Sequence, residues 1–209
     1  MTPASFIERL GDIRLDAVFN PYSERCHLYD RADAPQRRRA NLKACLDAAL
    51  ITEIDSVWIA RDLGYRGGRR TGLPLTDEIH LEDFSQVFGG VPLSRATKGP
   101  PVAERTAAII WRVLNKIEQT VFLWNIFPLH PFEPGEPMSN RCHTLAERLA
   151  CQDLLFELFG MLRPKRIVAI GRDAQKALSK LEIDSHPIRH PSYGGQAEFI
   201  NGMKALYGL

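Results

Sequence analysis

The chain has 209 residues, 44% of them hydrophobic and 25% charged, and a formal net charge of +2. That is enough chain to bury a substantial core, and the charge is too balanced for a wholly basic nucleic-acid coat. No apolar stretch approaches the ~20 residues that span a bilayer, and the start of the chain lacks a signal peptide's basic and apolar regions, so a cytoplasmic protein is expected.

Residues 5–10 read as a short helix stopped at Gly11, and 12–34 as irregular, with a turn at Asn20-Pro21-Tyr22. Residues 35–50 are predicted helical: Leu42, Cys45, Leu46 and Leu50 keep the helical period, and Pro35 suits a first turn. A strand at 56–60 leads into a glycine- and proline-rich excursion over 61–101; a connection that long in a compact domain is usually functional. A helix at 102–117 and a strand at 120–124 follow. Pro128, Pro131, Pro134 and Pro137 stiffen the loop 125–137. The next helix is predicted over 140–162, with Leu145, Leu149, Leu155, Leu158 and Phe159 on its apolar side. A strand at 166–170 precedes a helix that Gly171 opens and that runs to about Lys180. A short fourth strand ends at His190, and 195–207 form the closing helix. Strands alternating with helices imply a mostly parallel sheet covered on both faces.

None of the four cysteines forms a C-x-x-C pair, so a zinc ribbon is not expected. Cys142 and Cys151 fall on opposite sides of one predicted helix, and all four read as buried reduced thiols. Cys26-His27 and Cys142-His143 are weak metal hints; no metal or cofactor is expected. Arg37-Arg38-Arg39 reads as a solvated helix face. Arg61, Arg66, Arg69 and Arg70, interleaved with Gly64, Gly67 and Gly68, read differently. Arginine forks and glycine-loop amides suit phosphate.

The chemistry gathers at strand ends. Val57-Trp58-Ile59-Ala60 runs into Arg61-Asp62, Val121-Phe122-Leu123-Trp124 into Asn125, and Pro187-Ile188-Arg189 into His190-Pro191-Ser192. If these runs are neighbouring parallel strands, a carboxylate, a carboxamide and an imidazole share the crevice where open α/β sheets bind ligands.

These segments, in this order and spacing, resemble the motifs of the uracil-DNA glycosylase superfamily over roughly residues 55–200. Ala60-Arg61-Asp62-Leu63-Gly64 stands where that superfamily has G-Q-D-P-Y-H or G-E-A-P-G, Phe122-Leu123-Trp124-Asn125 where it has the strand ending in the uracil-reading asparagine, and His190-Pro191-Ser192 where H-P-S-P-L-S begins. The resemblance implies a three-layer α/β/α sandwich with a central four-stranded parallel sheet, formed by residues 1–209 as a single domain on which 1–34 pack as an N-terminal extension. It implies a monomeric enzyme acting on DNA, single- or double-stranded, near the bacterial nucleoid. The reaction would be hydrolysis of the N-glycosidic bond of a flipped deoxyuridine, leaving an abasic site. Asp62 would orient water and His190 would stabilise the departing base. Asn125 would read uracil, with Arg61, Tyr65, Leu75 and Phe127 around it. Leu75 stands in the slot of the usual stacking Phe, so Tyr65 and Phe127 are the aromatic candidates. Gly64 stands in the slot of the Tyr that excludes thymine. Arg69, Arg70, Ser192, Tyr193, Gly194 and Gly195 would meet the DNA, with Tyr193 in place of the usual leucine wedge.

Three other readings fit parts of the pattern. A non-catalytic module could hold uracil or an abasic site, although a carboxylate beside phosphates does not serve a pure binder. A glycosylase for another deaminated or mismatched base would share the machinery. A flavodoxin-like nucleotide domain fits least, because Gly171-Arg172-Asp173 has little phosphate-loop character.

Overall fold

The computed structural model describes residues 1–209. Four strands, β2 (Ser56–Ala60), β3 (Val121–Asn125), β5 (Arg166–Ile170) and β6 (His186–Ile188), form a parallel sheet in the order β3-β2-β5-β6. The first two are buried at every position, which is why they read as unbroken apolar runs rather than alternating ones. Trp58 turns to one face, where its indole N–H donates to Tyr207 Oη at 2.7 Å and its ring meets Phe199 edge-on. Trp124 packs against Phe6 on the other.

Helices cover both faces. α1 (Pro3–Asp12), α2 (Ala34–Leu50) and α6 (Leu145–Leu162) pack together; α5 (Arg105–Leu114) packs with α8 (Gln196–Tyr207), while α7 (Arg172–Lys180) lies against β5 and β2. One buried cluster of 45 residues runs from Phe6 to Met203. The α/β/α sandwich with its four-stranded parallel sheet is therefore present. No helix is long and apolar enough to cross a membrane.

The differences from expectation lie between the elements. α6 begins at Leu145, where Thr144 and Glu147 make a capping box, so the helix cannot extend back to Asn140. Cys142 thus lies outside α6, exposed, while Cys151 is buried within it. Leu145 and Leu149 are exposed, not core. The excursion holds two short helices, α3 (Gly68–Thr71) and α4 (Leu81–Val87). The N-terminal segment supplies β1 (Val18–Phe19), which pairs antiparallel with β4 (His130–Pro131). Both pairs are too short to leave a periodic signal.

Arg38 corrects the solvated-face reading of its cluster. It is fully buried, paired with Asp30, and its Nε donates to Arg70 O at 3.0 Å. Together with Tyr22 Oη, which donates to Gly72 O at 2.8 Å, it ties the N-terminal segment to the excursion. The Cβ of Arg38 comes within 2.7 Å of where a Cβ on Gly72 would sit, and Gly72 has φ +74, so only glycine fits there.

Candidate functional site

The strand order reverses direction between β2 and β5, so the loops leaving their carboxyl ends part and leave a crevice. A cavity of about 570 Å³ occupies it. Ala60 to Gly64 form one wall, Ile170 to Asp173 another, and Arg189, His190, Ser192 and Tyr193 a third. Leu75 and Glu104 also line it. Leu75 and Tyr193 have φ of +55 and +49. Two non-glycine residues in the left-handed region among the lining of one cavity are strain concentrated at a site.

Asp62 is nearly buried, with 5% of its side chain exposed, and is gripped on both oxygens. Arg61 Nε donates to Oδ2 at 2.5 Å, and His143 Nδ1 bonds Oδ1. Arg61 also reaches Asp173 at 2.9 Å, linking the β2 and β5 loops. The His143 ring packs on Phe127 with centroids 5.4 Å apart. His143 is a residue that sequence reasoning missed; Cys142-His143 read only as a metal hint, and nothing local shows that residue 143 meets residue 62.

His190 presents a defined tautomer. The Ser192 backbone N–H, which can only donate, points at Nδ1 at 3.2 Å, and Ser192 Oγ lies 2.7 Å from the same atom. Nδ1 is therefore an acceptor and Nε2 carries the proton. Burial, reinforced by Arg61 and Arg189, pushes the imidazole down to about 4, so it is neutral at physiological pH. Gly171 makes this placement possible, since a Cβ there would lie 3.1 Å from His190 Cβ.

Asn125 pairs across the ladder with Ala60, and the two chains leave the sheet side by side: Ile126 N donates to Ala60 O at 2.9 Å and Phe127 N to Arg61 O at 3.0 Å. Its side chain is sealed from solvent, and neither Nδ2 nor Oδ1 has a partner. It is the only residue with two atoms in that condition. Burying unmatched amide groups costs about 1–3 kcal/mol each by mutational scales. Asn125 does not line the open cavity; its neighbour Ala60 does.

Asp62, His190, Arg61, Leu75, Ser192 and Tyr193 thus meet at one cavity. Other expected site residues do not. Phe127 is fully buried behind the wall against His143, and Tyr65 is off the wall with its amide donating to Asn140 Oδ1 at 3.0 Å, so neither aromatic lines the cavity. Arg69 and Arg70 are also withdrawn from the surface. Arg69 is 2% exposed, lies 4.0 Å over the Phe19 ring and bonds His130 Nδ1 at 2.9 Å. Arg70 lies over Tyr29 and donates to Glu78 Oε2 at 2.9 Å. Both sit on α3, which folds inward, an outcome that composition does not reveal. The Gly195 amide is taken by Ser192 O at 3.0 Å, leaving Gly194 exposed beside the fully open Tyr193. The exposed cations at the cavity rim are Arg172 and Arg189, with Arg66 on the loop after β2.

The model of the uracil DNA glycosylase superfamily matches residues 67–204. The chain belongs to that superfamily. The match contains Asn125 and His190 and begins just after Asp62. A crystal structure of wild-type Pedobacter heparinus SMUG2 superposes with a TM-score of 0.64 over all of both chains, at 16% sequence identity. No curated protein matches the sequence. Superfamily membership makes the chain a DNA glycosylase by family.

Proposed function

We propose that the cavity receives a uracil extruded from DNA and that the chain hydrolyses its glycosidic bond. The observation that carries this is the unmatched carboxamide of Asn125, buried next to a cavity that holds a carboxylate and a neutral imidazole. An amide can accept from uracil N3–H while donating to O4; cytosine presents the reverse pattern and would leave both mismatched. Sites built on such hydrogen bonds reject the wrong ligand by roughly 10⁴.

Extrusion costs a few kcal/mol, which the exposed cations Arg66, Arg172 and Arg189 offset by holding phosphates. His190 Nε2–H donates to uracil O2 as the C1′–N1 bond breaks and its electron pair leaves with the base. Asp62 faces the cationic sugar and orients the water whose oxygen bonds C1′ and whose proton it takes. The paired carboxyl groups of glycoside hydrolysis divide their work in a related way. His143 and Arg61 fix the Asp62 carboxylate, so its orientation is set before substrate arrives.

One feature favours the second reading, a module that holds uracil or abasic DNA without cutting: both Asp62 oxygens are already bonded. A single assay separates the two. Purified protein on single- and double-stranded oligonucleotides bearing uracil, thymine opposite guanine, or hypoxanthine should release uracil, read as alkali-labile breaks. Asp62→Asn should cut turnover by about 10²–10⁴ while DNA affinity stays within a few-fold. Tight binding with no release by the native chain would establish the binder instead.

A further inference from the structure

Two glycines in the loop after β2 leave a hole that a distant side chain fills. A Cβ on Gly64 would lie 2.5 Å from Glu104 Oε1, and one on Gly67 would collide with Oε2. Glu104 is the N-cap of α5, far along the chain. Its backbone N–H donates to Asp77 Oδ2 at 2.6 Å, which anchors its main chain, and its carboxyl reaches the cavity wall two residues beyond Asp62.

A carboxyl is an unusual choice to fill this space. It makes no hydrogen bond within the chain and stays part-exposed at the cavity edge; desolvation, with the Asp77 carboxylate beside it, pushes it up to about 7 against the pull of Arg66. A plain filler would be apolar. Active sites gather carboxyls shifted in this way, which makes Glu104 a candidate functional group.

We propose that Glu104 is a specificity-determining residue: its carboxyl forms the stretch of base-pocket wall that the missing side chain at position 64 leaves open, and its bulk and hydrogen-bonding edge turn away pyrimidines carrying a 5-methyl group. This rests on the cavity being a base pocket. A methyl facing a carboxyl meets steric contact, whereas the bare C5–H of uracil does not, and in its protonated form the carboxyl can donate to the neighbouring O4. One added methyl against such a wall is worth roughly 10–200-fold in selection.

The test compares kcat/KM on uracil and on thymine opposite guanine. Glu104→Ala should raise the thymine-to-uracil ratio by at least ~10-fold. Glu104→Gln, which keeps volume and hydrogen-bonding capacity, should hold the native ratio. An unchanged ratio in Glu104→Ala, or an equal loss of selection in Glu104→Gln, overturns the proposal while leaving the uracil reading intact. A native chain that releases no uracil sinks both. A readout independent of catalysis is the melting temperature. Gly64→Ala should lower it, and much less so in the Glu104→Ala background; additive effects would show that the two residues do not share the space and would also overturn the proposal.

Discussion

Two polar regions of this molecule use their side chains in opposite ways. Behind the excursion most donors meet acceptors: Arg38 pairs with Asp30, Arg70 with Glu78, and Asn41 exchanges two hydrogen bonds of 2.9 Å with the Ser94 backbone, with Tyr29 Oη, Arg69 Nε and Arg95 Nε as exceptions. At the crevice they do not. Asn125 has no partner for either polar atom, the Glu104 carboxyl makes no hydrogen bond, and His190 Nε2 carries an uncommitted proton. The saturated pairs hold the excursion in place; the crevice groups keep hydrogen-bonding capacity to spare, and Asn125 alone among them is sealed from solvent.

The strongest way to break this comparison is to unmatch a matched group. Asp30→Ala strands the Arg38 guanidinium, which is wholly buried. Removing one partner of such a pair costs about 3–5 kcal/mol, which denaturant unfolding will read directly. Turnover per folded molecule should not change. A loss under about 1 kcal/mol would show that the clamp is not what secures the excursion.

The converse change should move activity and leave the fold alone. Asn125→Ala removes two unmatched polar atoms, so relief of desolvation offsets the lost packing and stability should shift by no more than about 1 kcal/mol. Uracil release should fall by roughly 10²–10³, the scale of losing an oriented hydrogen-bonding partner. A large stability loss with activity retained would place Asn125 in the structural set.

The same distinction explains what the sequence could and could not tell. The layers were legible because β2 and β3 are buried on both faces and so write unbroken apolar runs; Asp62 and His190 lie two residues beyond the ends of β2 and β6, and Asn125 ends β3, so the strand ends pointed to them. Arg69 and Arg70 were misread because a glycine-flanked arginine pair looks the same whether α3 turns it outward to phosphate or inward over Phe19 and Tyr29. His143 and Glu104 were invisible because each acts on a residue remote in sequence, through a meeting that only the folded chain creates.

The arginines offer a smaller and sharper test. Arg172→Ala and Arg189→Ala should each lower the slope of log affinity against log salt by about 0.7–0.9, as follows when one phosphate is no longer neutralised by the protein. Arg69→Lys should leave that slope unchanged and lower the melting temperature instead, because its guanidinium serves Phe19 and His130. Equal slopes for all three variants would return Arg69 to the DNA-binding surface.

The smallest effect is one of pH, and it reads the two regions together. His130, in the matched set, and His190, at the crevice, are each held down to about 4 from an ordinary 6.5, chiefly by burial. Between those limits the unfolded chain takes up two protons that the folded chain refuses, so both groups make stability rise with pH. Glu104 works the other way. It is held up to about 7 from 4.5, so over that interval the folded chain carries a proton that the unfolded chain has lost, and its contribution falls as pH rises. Between about pH 4.5 and 6.5 the three leave a net uptake of one proton on unfolding, worth at most about 1.4 kcal/mol per pH unit. Glu104→Gln removes the opposing proton, so the variant should lose stability toward acid about twice as steeply as the native chain. His190→Gln should flatten the same curve, since the remaining histidine and Glu104 then nearly cancel. Melting temperatures at four or five pH values across this window decide it. A native slope that Glu104→Gln leaves unaltered would mean that the carboxyl is solvated and ordinary, and that the crevice is less unmatched than its geometry indicates.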